Sequence, residues 1–237
     1  MQKAIFCWSG GKDSAYCLHK VLSEKQYDVK YLLTTLNANF QRVSMHGVRE
    51  DMLDAQVASI GIPGLKVWTS QGTYDEYERQ MEVMLLKAKG EGINHVIFGD
   101  IFLEDLRTYR ENNLAKVGMK AVFPLWKKDT KALIHDFIHK GFKTITCCVN
   151  DGYLGEDWVG KEINDLSIAE LPANVDPCGE NGEFHTYCYD GPLFKTKINF
   201  EGGEKVYKPL EVKADTSCSL PAKVITKGFW YFDILPV

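Results

Sequence analysis

The chain has 237 residues, 45% of them hydrophobic and 25% charged, the proportions of an ordinary globular protein. A formal net charge of −4 leaves no basic surplus for bulk nucleic acid or an anionic membrane surface, and no apolar run approaches the length of a membrane span. The seven cysteines form no Cys-x-x-Cys pair and several sit in apolar runs, so a reducing, cytoplasmic protein is expected rather than a disulfide or zinc scaffold.

Met1-Gln2-Lys3 leads directly into a strand pattern, so no signal peptide is expected. Ala4 to Trp8 reads as a buried first strand, and Cys17, Leu18, Val21 and Leu22 fall on one face of a helix that follows at once. Lys30 to Leu36 reads as a second strand, Met52 to Ile60 as a helix and Leu65 to Thr69 as a third strand. Tyr74 to Lys89 gives a long helix in which Tyr77, Met81, Met84 and Leu85 have core spacing. His95 to Gly99, Leu103 to Val117 and Ala121 to Pro124 continue as strand, helix and strand. This alternation predicts an α/β fold, a parallel sheet with helices on both faces. Ligands then bind beyond the C-terminal strand ends, at a topological switch point.

The rhythm weakens after Trp126. Asp129 caps a helix carrying Leu133, Ile134, Phe137 and Ile138, which Gly141 ends, and Thr144 to Val149 is another strand. Short strands follow Pro172, among them Lys205 to Val212 and Gly228 to Leu235. A main domain over residues 1–127 and a smaller α+β domain over residues 128–237 are expected.

The first strand–helix junction reads Ser9-Gly10-Gly11-Lys12-Asp13-Ser14. Two glycines let backbone amides approach an anion, the helix start adds partial positive charge, and Lys12 adds a full one. Asp13 makes sense there if magnesium accompanies the anion, which points to a polyphosphate. The P-loop pattern is absent, because Asp13 follows the lysine where Ser or Thr is required. The order instead resembles the PP-loop of the N-type ATP pyrophosphatases, which grip the β,γ-pyrophosphate of ATP and cleave between the α and β phosphates. A glycine-rich helix cap is the plain alternative.

A second constellation lies at Cys178-Gly179-Glu180-Asn181-Gly182-Glu183-Phe184-His185-Thr186. Asn181-Gly182 alone is a hairpin signal, but that leaves two glutamates and a histidine unexplained. Together with the first loop, with Gly99-Asp100, with Arg107 and Glu111, and with Pro124-Leu125-Trp126, this stretch resembles the diphthine–ammonia ligase family. The resemblance implies an adenine nucleotide α-hydrolase-like domain that uses ATP and Mg2+. Ser9 through Ser14, with His46 and Gly99, are then expected around the nucleotide. Lys12, Asp13 and Asp100 are the expected catalytic residues, with Asp13 the metal ligand. Arg107, Glu111, Glu180, Glu183, His185 and Thr186 are expected to face the acceptor. The Arg107–Glu111 spacing also fits a surface salt bridge, and His46 also fits a plain loop histidine.

Two departures from the family pattern stand out. Tyr109 occupies the position of a second family arginine, and Arg110 is displaced by one residue, about 100° around a helix, so the role does not transfer. The family reading Glu-Tyr-Glu-Thr is Glu183-Phe184-His185-Thr186 here, an acid replaced by an imidazole. The implied chemistry is adenylation of a carboxylate with release of pyrophosphate, then attack by free ammonia to give an amide and AMP. The implied acceptor is diphthine on the translocation elongation factor, and a homodimer is the expected assembly. Competing classes are a PP-loop tRNA sulfur-transfer enzyme and a non-catalytic nucleotide sensor.

Overall fold

A computed structural model describes residues 1–70, 74–210 and 226–237. The first sheet contains β1 (Gln2–Cys7), β2 (Tyr27–Asn37), β3 (Arg42–Val43), β4 (Gly64–Thr69), β5 (His95–Ile97) and β6 (Lys120–Val122). The helices between them are α1 (Lys12–Glu24), α2 (Glu50–Ile60), α3 (Tyr74–Gly90) and α4 (Glu104–Lys116). The parallel strands run in the order β4-β2-β1-β5-β6, and β3 pairs antiparallel with the end of β2. The chain winds from β1 through β2 to β4, then returns to β5 on the other side of β1. The switch point therefore lies between the C-terminal ends of β1 and β5.

Alternation along β1 explains the layering. Ala4 and Phe6 join a core with Leu18 and Val21 of α1 and Leu53 of α2, whereas Ile5 joins Leu85 of α3 and Leu114 of α4. Strands covered on both faces read as near-continuous apolar runs, which is why Ala4 to Trp8 was legible as a buried strand. The first of these cores continues without a break to Phe142, Tyr187 and Ile234 in the second half of the chain.

That half carries α5 (Thr130–His139), β7 (Lys143–Asn150), α6 (Asp165–Ala169), β8 (Phe184–Asp190), β9 (Phe200–Pro209) and β10 (Gly228–Pro236). Asp129 caps α5 as expected, accepting the Ala132 N–H at 2.8 Å. The second sheet has the order β8-β7-β10-β9 with all neighbours antiparallel. The strand expected at Lys205 to Val212 begins earlier, at Phe200, and Glu211 and Val212 lie outside the described residues. β8 emerges from within the Cys178–Thr186 stretch, where its turn residues hid the strand that follows. No helix among the described residues is long and apolar enough to cross a membrane.

Candidate active site

The loop from Ser9 to Ser14 leaves β1 and enters α1 at the switch point. Gly10 has a φ of +82°, and a Cβ there would lie 2.6 Å from Gln56 Oε1. Gly11 precedes the first turn of α1, and a Cβ on it would lie 2.8 Å from His46 Cε1. Both glycines are therefore set by close approach, the first also by its left-handed backbone. Gln56 of α2 is fully buried and holds the loop from below. Its Nε2 donates to the Gly10 carbonyl at 2.9 Å and the Cys188 carbonyl at 2.7 Å, while its Oε1 accepts Trp8 Nε1–H at 3.0 Å.

β8 backs the same loop. Cys188 N donates to the Gly10 carbonyl at 2.8 Å, and Lys12 N donates to Thr186 Oγ1 at 3.0 Å. The Lys12 side chain is only 3% exposed. Its Nζ donates to Asp13 Oδ2 at 2.8 Å and to the Cys178 carbonyl, and lies 5.1 Å from the centre of the Phe184 ring. Burial disfavours the ammonium, but Asp13 and its neighbours outweigh that and hold the Lys12 pKa above its ordinary value. Protein surrounds the Asp13 carboxyl and burial raises its pKa against the pull of Lys12, although 32% of the side chain still faces the cleft.

Asp100 follows β5 on the other side of the switch point. Gly99 lets this turn press on α1, since a Cβ there would meet the Asp13 carbonyl at 3.3 Å. Asp100 pairs with Arg110 of α4, Nε to Oδ2 at 2.8 Å and a terminal nitrogen to Oδ1 at 3.1 Å. Burial raises the Asp100 pKa and Arg110 opposes it.

The Cys178–Thr186 stretch closes the site from the second sheet. Glu180 Oε1 accepts the Ile101 N–H at 2.8 Å and the Phe102 N–H at 3.1 Å, tying this stretch to the turn that carries Asp100. Burial, helped by the nearby Asp13 charge, pushes the Glu180 carboxyl up to about 7. The His46 and His185 rings lie 4.7 Å apart at 36°. His46 Nδ1 is 3.0 Å from the Thr186 carbonyl, which can only accept, so Nδ1 carries the proton and Nε2 is the free acceptor. Burial drives His46 down to about 4 and His185 well below the usual histidine range, with neighbouring Lys12 adding to both. Both imidazoles are neutral at neutral pH.

These groups line one cleft of about 920 Å³, a size within the range of small-molecule sites. The structure brings Ser9, Lys12, Asp13, Ser14, His46, Gly99 and Asp100 to it, together with Glu180, His185 and Thr186. It does not bring Arg107, Glu111 or Glu183 there, and Gly10 and Gly11 are absent from its lining, pressed against Gln56 and His46. Arg107 and Glu111 pair with each other at 2.8 Å on α4, and Arg107 lies over the Phe123 and Trp126 rings. Glu183 is fully buried. Its oxygens accept Asp176 N–H at 3.0 Å, Asn181 N–H at 2.8 Å and Asn181 Nδ2–H at 3.0 Å, so this carboxylate folds the loop. Asn150, Tyr153, Phe184, Thr226 and Arg110 line the cleft without having been expected there. Of these, Arg110 left a trace in the sequence as the displaced arginine after Tyr109, and Phe184 as a member of the Cys178–Thr186 stretch.

Two family models account for most of the chain. The diphthamide synthase N-terminal domain matches residues 2–121 and the diphthamide synthase C-terminal domain matches residues 129–214. The chain belongs to the diphthamide synthase family. A diphthine–ammonia ligase of Mus musculus is 26% identical over 226 residues, covering 84% of this chain and 82% of that protein. A diphthine–ammonia ligase of Schizosaccharomyces pombe is 32% identical over 125 residues, covering 51% of this chain but 20% of its own length. This diphthamide synthase family member thus spans only a fraction of the fission yeast relative. Among solved structures, a predicted subunit of tRNA methyltransferase from Methanocaldococcus jannaschii covers 84% of this chain at 12% identity and a TM-score of 0.43. Within this chain, the Ser9–Ser14 loop falls in the first matched region and the Cys178–Thr186 stretch in the second, and they meet across the cleft.

Proposed function

We propose that the protein is an ATP-dependent ligase that adenylates a carboxylate and aminates it with ammonia, releasing AMP and pyrophosphate. The observation that carries this reading is the meeting of Lys12, Asp13 and Asp100 at the ends of β1 and β5, around a glycine loop backed by β8. Lys12 and the amides at the start of α1 suit the charge that develops on departing pyrophosphate. Among the described residues no cluster of three or more acids, histidines or cysteines forms a resident metal site. Two carboxylates in the cleft instead fit a magnesium ion that arrives on nucleotide phosphates, for which one or two protein oxygens suffice. Asp13 and Asp100 would hold that ion, which supplies charge neutralisation of the phosphates.

In the first step an acceptor carboxylate oxygen attacks the α-phosphorus and the bond to the β-phosphate bridging oxygen breaks. Ammonia nitrogen then attacks the activated carbonyl carbon, the carbon–oxygen bond to AMP breaks, and nitrogen loses a proton. Glu180, with a carboxyl near 7, is matched to take a proton from ammonium at neutral pH. The adjacent His46 and His185 are too weakly basic for that task and instead form a neutral wall. His185 therefore removes a negative charge from the acceptor side without adding a positive one.

The acceptor we propose is diphthine, the substrate in the names of the relatives. Sulfur transfer is less well supported. Burial raises the pKa of every described cysteine, Cys7 and Cys148 to about 12, so none is a ready thiolate. The test is a product assay with ATP, magnesium and ammonium, with and without diphthine-bearing elongation factor. Acceptor-dependent AMP and pyrophosphate are expected, and Lys12→Ala is expected to lower their formation about 10²- to 10³-fold. ADP as the product, or undiminished AMP from the variant, would overturn the reading.

A further inference from the structure

The cleft contains two ion pairs, Lys12 with Asp13 and Arg110 with Asp100. Among the described residues that line it, these are the only two cations, since His46 and His185 are held neutral. Each cation already faces a carboxylate at 2.8 Å, in a space that the proposed function fills with a polyphosphate. Lys12 alone is poorly matched to that ligand. The Arg110 side chain is 23% exposed, and its guanidinium lies 4.3 Å from the centre of the Phe98 ring. Stacking on Phe98 holds the plane of a rigid donor fork whose geometry suits phosphate as well as carboxylate.

We propose that Arg110 is a second phosphate-binding residue of the cleft, which exchanges Asp100 for a phosphate oxygen of the nucleotide when ATP binds. The exchange keeps every charge partnered. Arg110 gains a phosphate oxygen, and Asp100 is released toward the magnesium ion that accompanies the nucleotide. Breaking a buried pair is costly only when one member is left alone, and here both find new partners together. In the free protein the pair also keeps Asp100 from facing Asp13 as an uncompensated carboxylate, an interaction that already raises the Asp100 pKa after burial and Arg110 are counted. The inference rests on the reading of the cleft as an ATP site.

The test is calorimetric titration of the full chain with ATP, pyrophosphate and adenosine, with and without magnesium. The proteins are wild type, Arg110→Gln, Asp100→Asn and the double variant, which leaves no orphaned charge if Arg110→Gln alone folds poorly. Arg110→Gln is expected to weaken ATP and pyrophosphate about 10- to 100-fold, as for loss of a charged hydrogen bond, with adenosine unchanged. Asp100→Asn is expected to tighten ATP without magnesium and to blunt the gain from magnesium. The arginine substitution should keep its cost in the Asp100→Asn background. No cost in that background would mean that Arg110 only positions Asp100, and equal losses for ATP and adenosine would mean a general disturbance. Either result overturns the proposal. A wild-type protein that binds no ATP overturns the nucleotide reading as well, whereas ATP binding indifferent to Arg110 overturns this inference alone.

Discussion

Glu180 and Glu183 stand in one turn, on either side of Asn181-Gly182, and their carboxylates meet different surroundings. Glu183 is fully enclosed, and three N–H groups of its own loop donate to it. Glu180 reaches across to the Ile101 and Phe102 amides and lines the cleft, with a pKa raised by burial. One acid makes the loop and the other is presented by it. A motif with two similar residues is therefore not two copies of one role, and the distinction is set by which carboxylate the turn folds around.

The largest effect that tests this contrast is on stability. Glu183→Ala leaves two backbone amides and the Asn181 amide without a buried acceptor, and is expected to cost about 3–5 kcal/mol. Chemical denaturation measures it, and a variant of native stability that fails only to bind ligand would move Glu183 into the cleft. Glu180→Gln should act with the opposite sign and more weakly. Its folded pKa of about 7 lies above the ordinary 4.5, so its contribution to stability is full below pH 4.5 and is lost as pH rises through 7. The glutamine variant should then match wild type below pH 4.5 and exceed it above pH 7, while losing amide formation. A stability difference that does not change with pH would remove the basis for Glu180 as the proton acceptor. Smallest of all, Arg107→Ala is expected to cost about 1 kcal/mol or less, from a partly exposed ion pair and ring contacts. ATP affinity, measured by titration, should not change. A loss of affinity would mean that the i,i+4 pair reaches the ligand after all.

Much of the first sheet was legible because its signals are local. Ala4 to Trp8 is apolar throughout because both faces of β1 are covered, and the Ser9–Ser14 loop carries its conformational demands in its own glycines. Asp129 announced α5 by the same kind of short-range chemistry. β8 was hidden because its first residues belong to a stretch rich in turn formers, and its pairing with β7 is a long-range event. Arg107 and Arg110 show the limit of spacing arguments. Both lie on α4, yet one rests on Phe123 and Trp126 and the other reaches Asp100, a choice made by the rings and acids that surround the helix.

The sequence by itself determined the alternating α/β frame, the glycine-rich loop at its first junction and the family, because strand burial, glycine turns and helix starts are written in neighbouring residues. Only the tertiary structure decided that Thr186 and Cys188 would brace that loop, that Gln56 would hold it from below, and that His46 and His185 would be neutral. Those contacts join residues far apart in the chain, 46 positions for Gln56 and Gly10 and 174 for Lys12 and Thr186. Their energetics depend on which groups lose water together, a property of the packed cleft that no local pattern of residues contains.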